Sequence, residues 1–239
     1  MQILEGEKVS KSFGGLAAVT DVSFGVEQGM VFGVIGPNGA GKTTLFNLIS
    51  AALALETGCI RFKGRDITGL KPYKICRLGI ARTFQTVKIF QNLSVLENVI
   101  LGAFFGSQTR VGAGEAAREA EVALEAVGLY AARYGPAKDL TLARQKRLEV
   151  ARALATRPDL LLLDEMMAGL TPTEVEQAMG LVKELRDGGM TILMIEHVMK
   201  AVMNMCDRIL VLDHGRKIAE GTPREIASNR KVIEVYLGD

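Results

Sequence analysis

The chain has 239 residues, 48% of them hydrophobic, enough to bury a full core in one large domain or two small ones. A formal net charge of +2, no tryptophan and only 5% aromatic residues leave neither the concentrated basic face nor the stacking platforms of a nucleic-acid binder. Mean hydropathy is high at +0.20, yet no apolar run approaches the roughly 20 residues needed to cross a bilayer.

The first residues, Met1 to Glu7, carry two early acids and no basic-then-apolar order, so no secretory leader is expected. Cys59, Cys76 and Cys206 are scattered, odd in number and outside any C-x-x-C spacing. That pattern fits a reducing compartment and argues against a cysteine metal site, so a cytoplasmic location is expected.

In chain order, Ile3 to Val9, Val19 to Val26 and Cys59 to Lys63 predict an antiparallel sheet, with Gly14-Gly15, Gln28-Gly29 and Gly64 as turns. Phe13 is expected in the loop between the first two strands. Met30 to Ile35 reads as a short apolar strand, and Leu45, Leu48, Ile49, Ala52 and Leu53 share one helical stripe. Between them lies Gly36-Pro37-Asn38-Gly39-Ala40-Gly41-Lys42-Thr43-Thr44, which fits G-x-x-x-x-G-K-[ST] without a mismatch. A Gly-rich turn from a buried strand into a helix N-terminus points successive backbone N–H groups into one concavity, where the helix dipole adds its attraction for anions. Lys42 is expected to reach the β- and γ-phosphates of a nucleotide, and the Thr43 hydroxyl to ligate Mg²⁺.

From Val87 to about residue 157 the pattern turns helical. Ser94 to Leu101 opens with a possible capping box, Ser94 and Glu97, and Glu115 to Val127 stops at Gly128. The small-residue stretch Gly102 to Gly114 between them is expected to be a mobile surface loop. Leu160 to Leu163 then reads as a strand buried on both faces. Thr171-Pro172-Thr173-Glu174 caps a helix that ends at Gly188-Gly189. Met190 to Ile195 is the next strand and Val198 to Met205 the next helix. A hairpin follows, Arg208 to Asp213 and Lys217 to Ala219, turning at His214-Gly215. The expected architecture is α/β, with a small antiparallel sheet and a helical subdomain at 87–157 inserted between core segments 1–86 and 158–239.

A phosphate cradle needs a metal partner and a group to orient water. Asp164 and Glu165 end the buried strand, where an open α/β sheet presents its ligands. Asp164 is expected to hold Mg²⁺ through its water shell, and Glu165 to act as general base on the attacking water.

With these motifs in order, the sequence resembles the nucleotide-binding subunits of ABC transporters along essentially its whole length. The resemblance implies a P-loop NTPase core of RecA-like type, with ATP and Mg²⁺ as cofactors. It makes Thr83-Phe84-Gln85-Thr86 a Q-loop, with Gln85 offering its amide oxygen to Mg²⁺, and Ile195-Glu196-His197 a switch-histidine strand end, with His197 on the γ-phosphate. Phe13 falls where the family stacks an aromatic on adenine. Leu140-Thr141-Leu142-Ala143-Arg144 occupies the signature position, usually Leu-Ser-Gly-Gly-Gln. Were φ > 0 needed at Ala143, its Cβ would cost on the order of 1 kcal/mol. Thr171 stands where the family usually has Asp.

In this family the signature of one protomer closes the ATP site of the other, which implies a homodimer or a heterodimer with a related ATPase. Residues 79–85, 90–99, 167–174 and the tail Val232 to Gly238 look like ATPase subunits of branched-chain amino acid importers. Such systems add integral membrane permease subunits and a periplasmic solute-binding protein, which implies a peripheral place on the cytoplasmic face of the membrane. A lipopolysaccharide-export ATPase is a second transport reading, and a soluble regulator or repair clamp a third.

Overall fold

A computed structural model describes residues 1–106 and 111–237. Strands β1 (Gln2–Phe13) and β2 (Leu16–Glu27) form an antiparallel hairpin across Gly14-Gly15. Leu4, Val9, Val22 and Val26 are fully buried on its inner side. Both strands run longer than the apolar alternation suggests. Irregular pairing near Lys8 and Asp21, two non-glycine residues with positive φ, absorbs the breaks in that alternation.

Next come β3 (Val31–Ile35), buried at all five positions, and α1 (Lys42–Ile49). The expected stripe overreaches here. Ala51 is left-handed at φ 55, which stops the helix and leaves Ala52 exposed outside it. Strands β4 (Thr57–Phe62) and β5 (Arg65–Asp66) complete a sheet of order β2-β1-β4-β5.

The chain continues through α2 (Pro72–Leu78), β6 (Ile80–Arg82), α3 (Val95–Gly106) and α4 (Ala113–Ala126). Two single-turn 3₁₀ helices, Tyr130–Ala132 and Ala137–Asp139, lead to α5 (Leu142–Leu154) and β7 (Leu160–Asp164). Ser94 caps α3 as expected, its backbone N–H donating to Glu97 at 2.7 Å and its hydroxyl accepting from the Glu97 N–H.

The expected loop at Gly102 is a correction, because α3 runs on to Gly106. A Cβ on Gly102 would strike the Arg152 carbonyl oxygen, and one on Gly106 would strike the Thr156 side chain. These glycines permit close packing rather than a turn. At its other end Ala113 and Gly114 already belong to α4, so only Val111 and Gly112 are described outside the helices, while 107–110 lie outside the described residues.

Last come α6 (Pro172–Asp187), β8 (Thr191–Ile195), α7 (Met199–Met205), β9 (Arg208–Asp213), β10 (Arg216–Gly221), α8 (Pro223–Ala227) and α9 (Arg230–Leu237). Contacts divide the chain into two units. One comprises Met1–Pro72 and Val182–Asp239, and in it β3 lies parallel to both β8 and β9 while β10 pairs antiparallel with β9. The other, Tyr73–Leu181, holds the parallel pair β6 and β7 and the packed helices α3, α4 and α5.

Candidate functional site

In the first unit the β3 to α1 turn is shaped by glycine. Gly36, Gly39 and Gly41 have φ of +148, +80 and +98, values that L side chains rarely adopt. A Cβ on Gly36 would run into the Leu212 carbonyl oxygen, and one on Gly41 into that of Ala18. Gly39 faces open space. The Lys42 ammonium folds back over the turn, donating to the carbonyls of Gly36 at 2.7 Å and Pro37 at 2.8 Å. Pro37, Asn38, Thr43 and Thr44 sit on the accessible rim, with Ala40 buried beneath. A concave backbone turn that excludes side chains, with one cation folded over it, fits a phosphate chain.

The same unit brings a residue the motif reading gave no role. Burial raises the pKa of the Tyr236 phenol in α9, and the Gly36 backbone partly offsets that rise. Phe13 is a correction: it is the last residue of β1, paired with Leu16, rather than a loop residue. Its ring is 46% exposed, with the Lys11 ammonium 5.6 Å from the centroid. Pairing continues to the hairpin tip, past a register shift between Lys11 and Ser12, because Gly14 takes the tight-turn conformation at φ 58. His197 follows the buried end of β8 and is exposed, while its neighbour Glu196 is buried.

In the second unit, Asp164 ends β7 and is 1% exposed. Arg82, the last residue of β6, reaches it at 2.8 Å, and the Thr83 hydroxyl accepts from the Asp164 N–H at 3.2 Å. The parallel pairing of Arg82 with Leu162 sets this geometry. Glu165 has φ of 49, a left-handed value that costs a non-glycine residue strain. The Gln85 side-chain N–H donates to its carboxylate at 2.8 Å. The structure thus brings together two predicted residues, Gln85 and Glu165, that are 80 positions apart in sequence.

Around them, Phe84 lies 5.3 Å from the Arg82 guanidinium and 4.6 Å from the Lys88 ammonium. The loop after Gln85 is held at two points. Lys88 N–H donates to Glu149 at 2.7 Å, and Asn98 bonds both the N–H and the carbonyl of Phe90 at 2.8 and 3.0 Å. Burial pushes the Glu149 carboxyl above the usual range, against the Lys88 N–H bond and the nearby cations.

The signature position lies at the start of α5. Thr141 is its N-cap, 3.5 Å from the Arg144 N–H. Leu142, Ala143 and Arg144 are already in the first turn, and Ala143 is not among the positive-φ residues. The strain considered for its Cβ therefore does not arise. Thr171 also has a local function: its N–H and hydroxyl both donate to Glu174, at 2.9 and 2.8 Å. An Asp there would cap as well, so Thr171 preserves the helix start.

Sequence reasoning gave no role to Arg82, Lys146 or Glu149. Lys146 and Glu149 stand three residues apart among the buried residues of α5, and a charge falling on an apolar helical stripe was the signal available.

A glycine-formed phosphate turn after a buried strand, with paired acids ending another, defines a nucleotide-binding cassette. The ABC transporter family model matches residues 19–168, and the chain belongs to that family. A second family model, described as branched-chain amino acid ATP-binding cassette transporter, matches residues 216–239. The chain is 40% identical to the high-affinity branched-chain amino acid transport ATP-binding protein BraF of Pseudomonas aeruginosa, covering 99% of this chain and 98% of that one. It is 41% identical to the similarly described LivG of Salmonella typhimurium, covering 95% and 94%. Among solved structures it resembles a nucleotide-free ATP-binding cassette from an ABC transporter, with TM-score 0.91, 34% identity and full coverage of both chains. The ADP conformation of an ATP-binding cassette of an ABC transporter matches with the same TM-score, identity and coverage. Among the described residues no helix is long and apolar enough to cross a membrane.

Proposed function

We propose that the chain is the ATP-hydrolysing subunit of an importer for branched-chain or related amino acids. The observation that carries this reading is the near-complete alignment with named transport ATP-binding proteins, in a chain whose phosphate turn and paired acids are intact. The names of these relatives favour it over the lipopolysaccharide-export and repair-clamp alternatives.

The roles follow from chemistry and from place in the motifs. The N–H groups of Gly36 to Thr44 and the Lys42 ammonium bind the phosphate chain, and Phe13 offers a ring face to adenine. Thr43, Gln85 and Asp164 are a hydroxyl, an amide and a carboxylate, a hard oxygen set that fits Mg²⁺. When bound, Mg²⁺ would neutralise charge on the β- and γ-phosphate oxygens. Glu165 takes a proton from the attacking water, and the Gln85 hydrogen bond orients its carboxylate for that transfer. His197 donates to the γ-phosphate.

Thr141, Leu142, Ala143 and Arg144 act on the nucleotide of a second ATPase subunit, identical or related, so ATP closes a dimer and hydrolysis opens it. Membrane permease subunits receive that motion, and a periplasmic binding protein supplies the solute. The chain works on the cytoplasmic face of the membrane, held there by its partners.

The test is transport by the assembled complex. The chain, purified with the permease subunits that accompany it, is placed in proteoliposomes with ATP inside and radiolabelled leucine with the binding protein outside. ATP-dependent leucine accumulation is expected. Hydrolysis unaffected by leucine, isoleucine or valine, with no accumulation, would overturn the assignment.

A further inference from the structure

We propose that Lys146 and Glu149 are positioning residues for hydrolysis. From one face of α5, Lys146 fixes the backbone that carries Glu165, and Glu149 fixes the loop that follows Gln85. The proposal rests on the reading of Glu165 as general base.

Glu165 occupies a left-handed backbone conformation that a carboxylate-bearing residue does not hold without support. Lys146, 7% exposed, donates from its ammonium to the Glu165 carbonyl oxygen at 2.9 Å, a charge-assisted bond to the strained peptide unit itself. One turn further on, Glu149, 3% exposed, accepts the Lys88 N–H at 2.7 Å and lies 3.5 Å from Arg152. Residues at i and i+3 project from the same helix face, so a single rigid element grips both sides of the Gln85 to Glu165 hydrogen bond.

Burying an ammonium and a carboxylate costs desolvation that apolar side chains of similar size avoid. Lys146 instead reaches the carbonyl of Glu165 itself, and Glu149 the backbone N–H three residues after Gln85. Because α5 starts at the signature residues, any displacement of the helix by a dimer partner changes the aim of Gln85 and Glu165 together. No other side chain has to relay it.

The experiment measures steady-state ATP hydrolysis of the purified chain, with thermal unfolding and fluorescent-nucleotide affinity recorded for every variant. Lys146→Met keeps the aliphatic stem and removes the donor. It is expected to lower kcat about tenfold or more while KM and nucleotide affinity change less than about twofold, the pattern of an interaction needed only in the transition state. Lys146→Arg restores most of that loss. Glu149→Leu is expected to behave like Lys146→Met, and Glu149→Gln, which keeps an acceptor for Lys88, to stay near the parent.

Parental kcat in both Lys146→Met and Glu149→Leu overturns the proposal. So does loss of kcat and stability together without rescue by Lys146→Arg or Glu149→Gln, since that marks a purely structural role. Should Lys146→Met fail to fold, the Glu149 pair decides alone. Glu165→Gln is run alongside: parental turnover there would show that the base assignment had failed. An inactive Glu165→Gln beside fully active Lys146→Met and Glu149→Leu would place the failure on positioning alone.

Discussion

In the function proposed above, the groups that act between Gly36 and Thr44 are backbone N–H donors, and the sequence needed is whatever keeps Cβ atoms away. Those proposed to act between Arg82 and Glu165 are side chains, aimed by β6, β7 and α5 from distant parts of the chain. The first arrangement is local and tolerates little substitution at a few glycines. The second is non-local, and exchanges are tolerated wherever the helix or strand that aims the side chain survives. Ala143 at the signature and Thr171 at the next helix start illustrate this, since each fits its helix without strain.

Breaking the cradle should give the largest effect. Lys42→Ala removes the ammonium folded over the proposed phosphate turn and is expected to lower ATP turnover by about 10²–10³-fold, with weaker nucleotide binding. Turnover within about threefold of the parent would contradict the assignment of Lys42.

Next in size is backbone strain at the same turn. Gly41→Ala places a Cβ against the Ala18 carbonyl at φ +98 and should destabilise the chain by about 2–3 kcal/mol, read from urea unfolding. Gly39→Ala, at φ +80 but facing open space, should cost only about 1 kcal/mol.

In the acid region the test is of paired charge. Arg82→Met removes the guanidinium paired with Asp164 and is expected to cost about 3 kcal/mol, whereas adding Asp164→Asn should recover part of that loss. Additive losses in the double variant, measured by the same unfolding, would show that the two side chains do not act as a pair.

The smallest expected effect is at the α6 cap. Thr171→Val removes the hydroxyl and should cost about 1 kcal/mol. The Thr171 hydrogen bonds, first from its backbone N–H and then from its hydroxyl, hold the Glu174 carboxyl below its ordinary value. Its folded-state pKa is depressed, so its contribution to stability is present above the ordinary carboxylate value and is lost as pH falls through the folded one. In Thr171→Val an NMR titration should find the Glu174 midpoint moved upward, and an unmoved midpoint would break the capping account.

The cradle was legible because its requirement is compositional: three glycines, a lysine and a hydroxyl between a strand and a helix. The buried strands β3, β7 and β8 were legible for a similar reason, being short unbroken apolar runs. Three features resisted. Helix α1 ends where Ala51 turns left-handed, a conformation that alanine does not advertise. Helix α3 runs through Gly102 and Gly106 because their missing Cβ atoms admit neighbouring chain, and isolated glycines read equally as loop. Lys146 and Glu149 fall on the buried stripe of α5, but what they hold, the Glu165 carbonyl and the Lys88 N–H, lies 19 and 61 positions away in sequence.

Turnover of the Glu165→Gln variant, with nucleotide binding measured on the same preparation, tests most directly whether the side-chain region acts on what the cradle binds. The account predicts parental ATP affinity with hydrolysis reduced by about 10²-fold or more. Hydrolysis at the parental rate, with ATP bound as before, would contradict it.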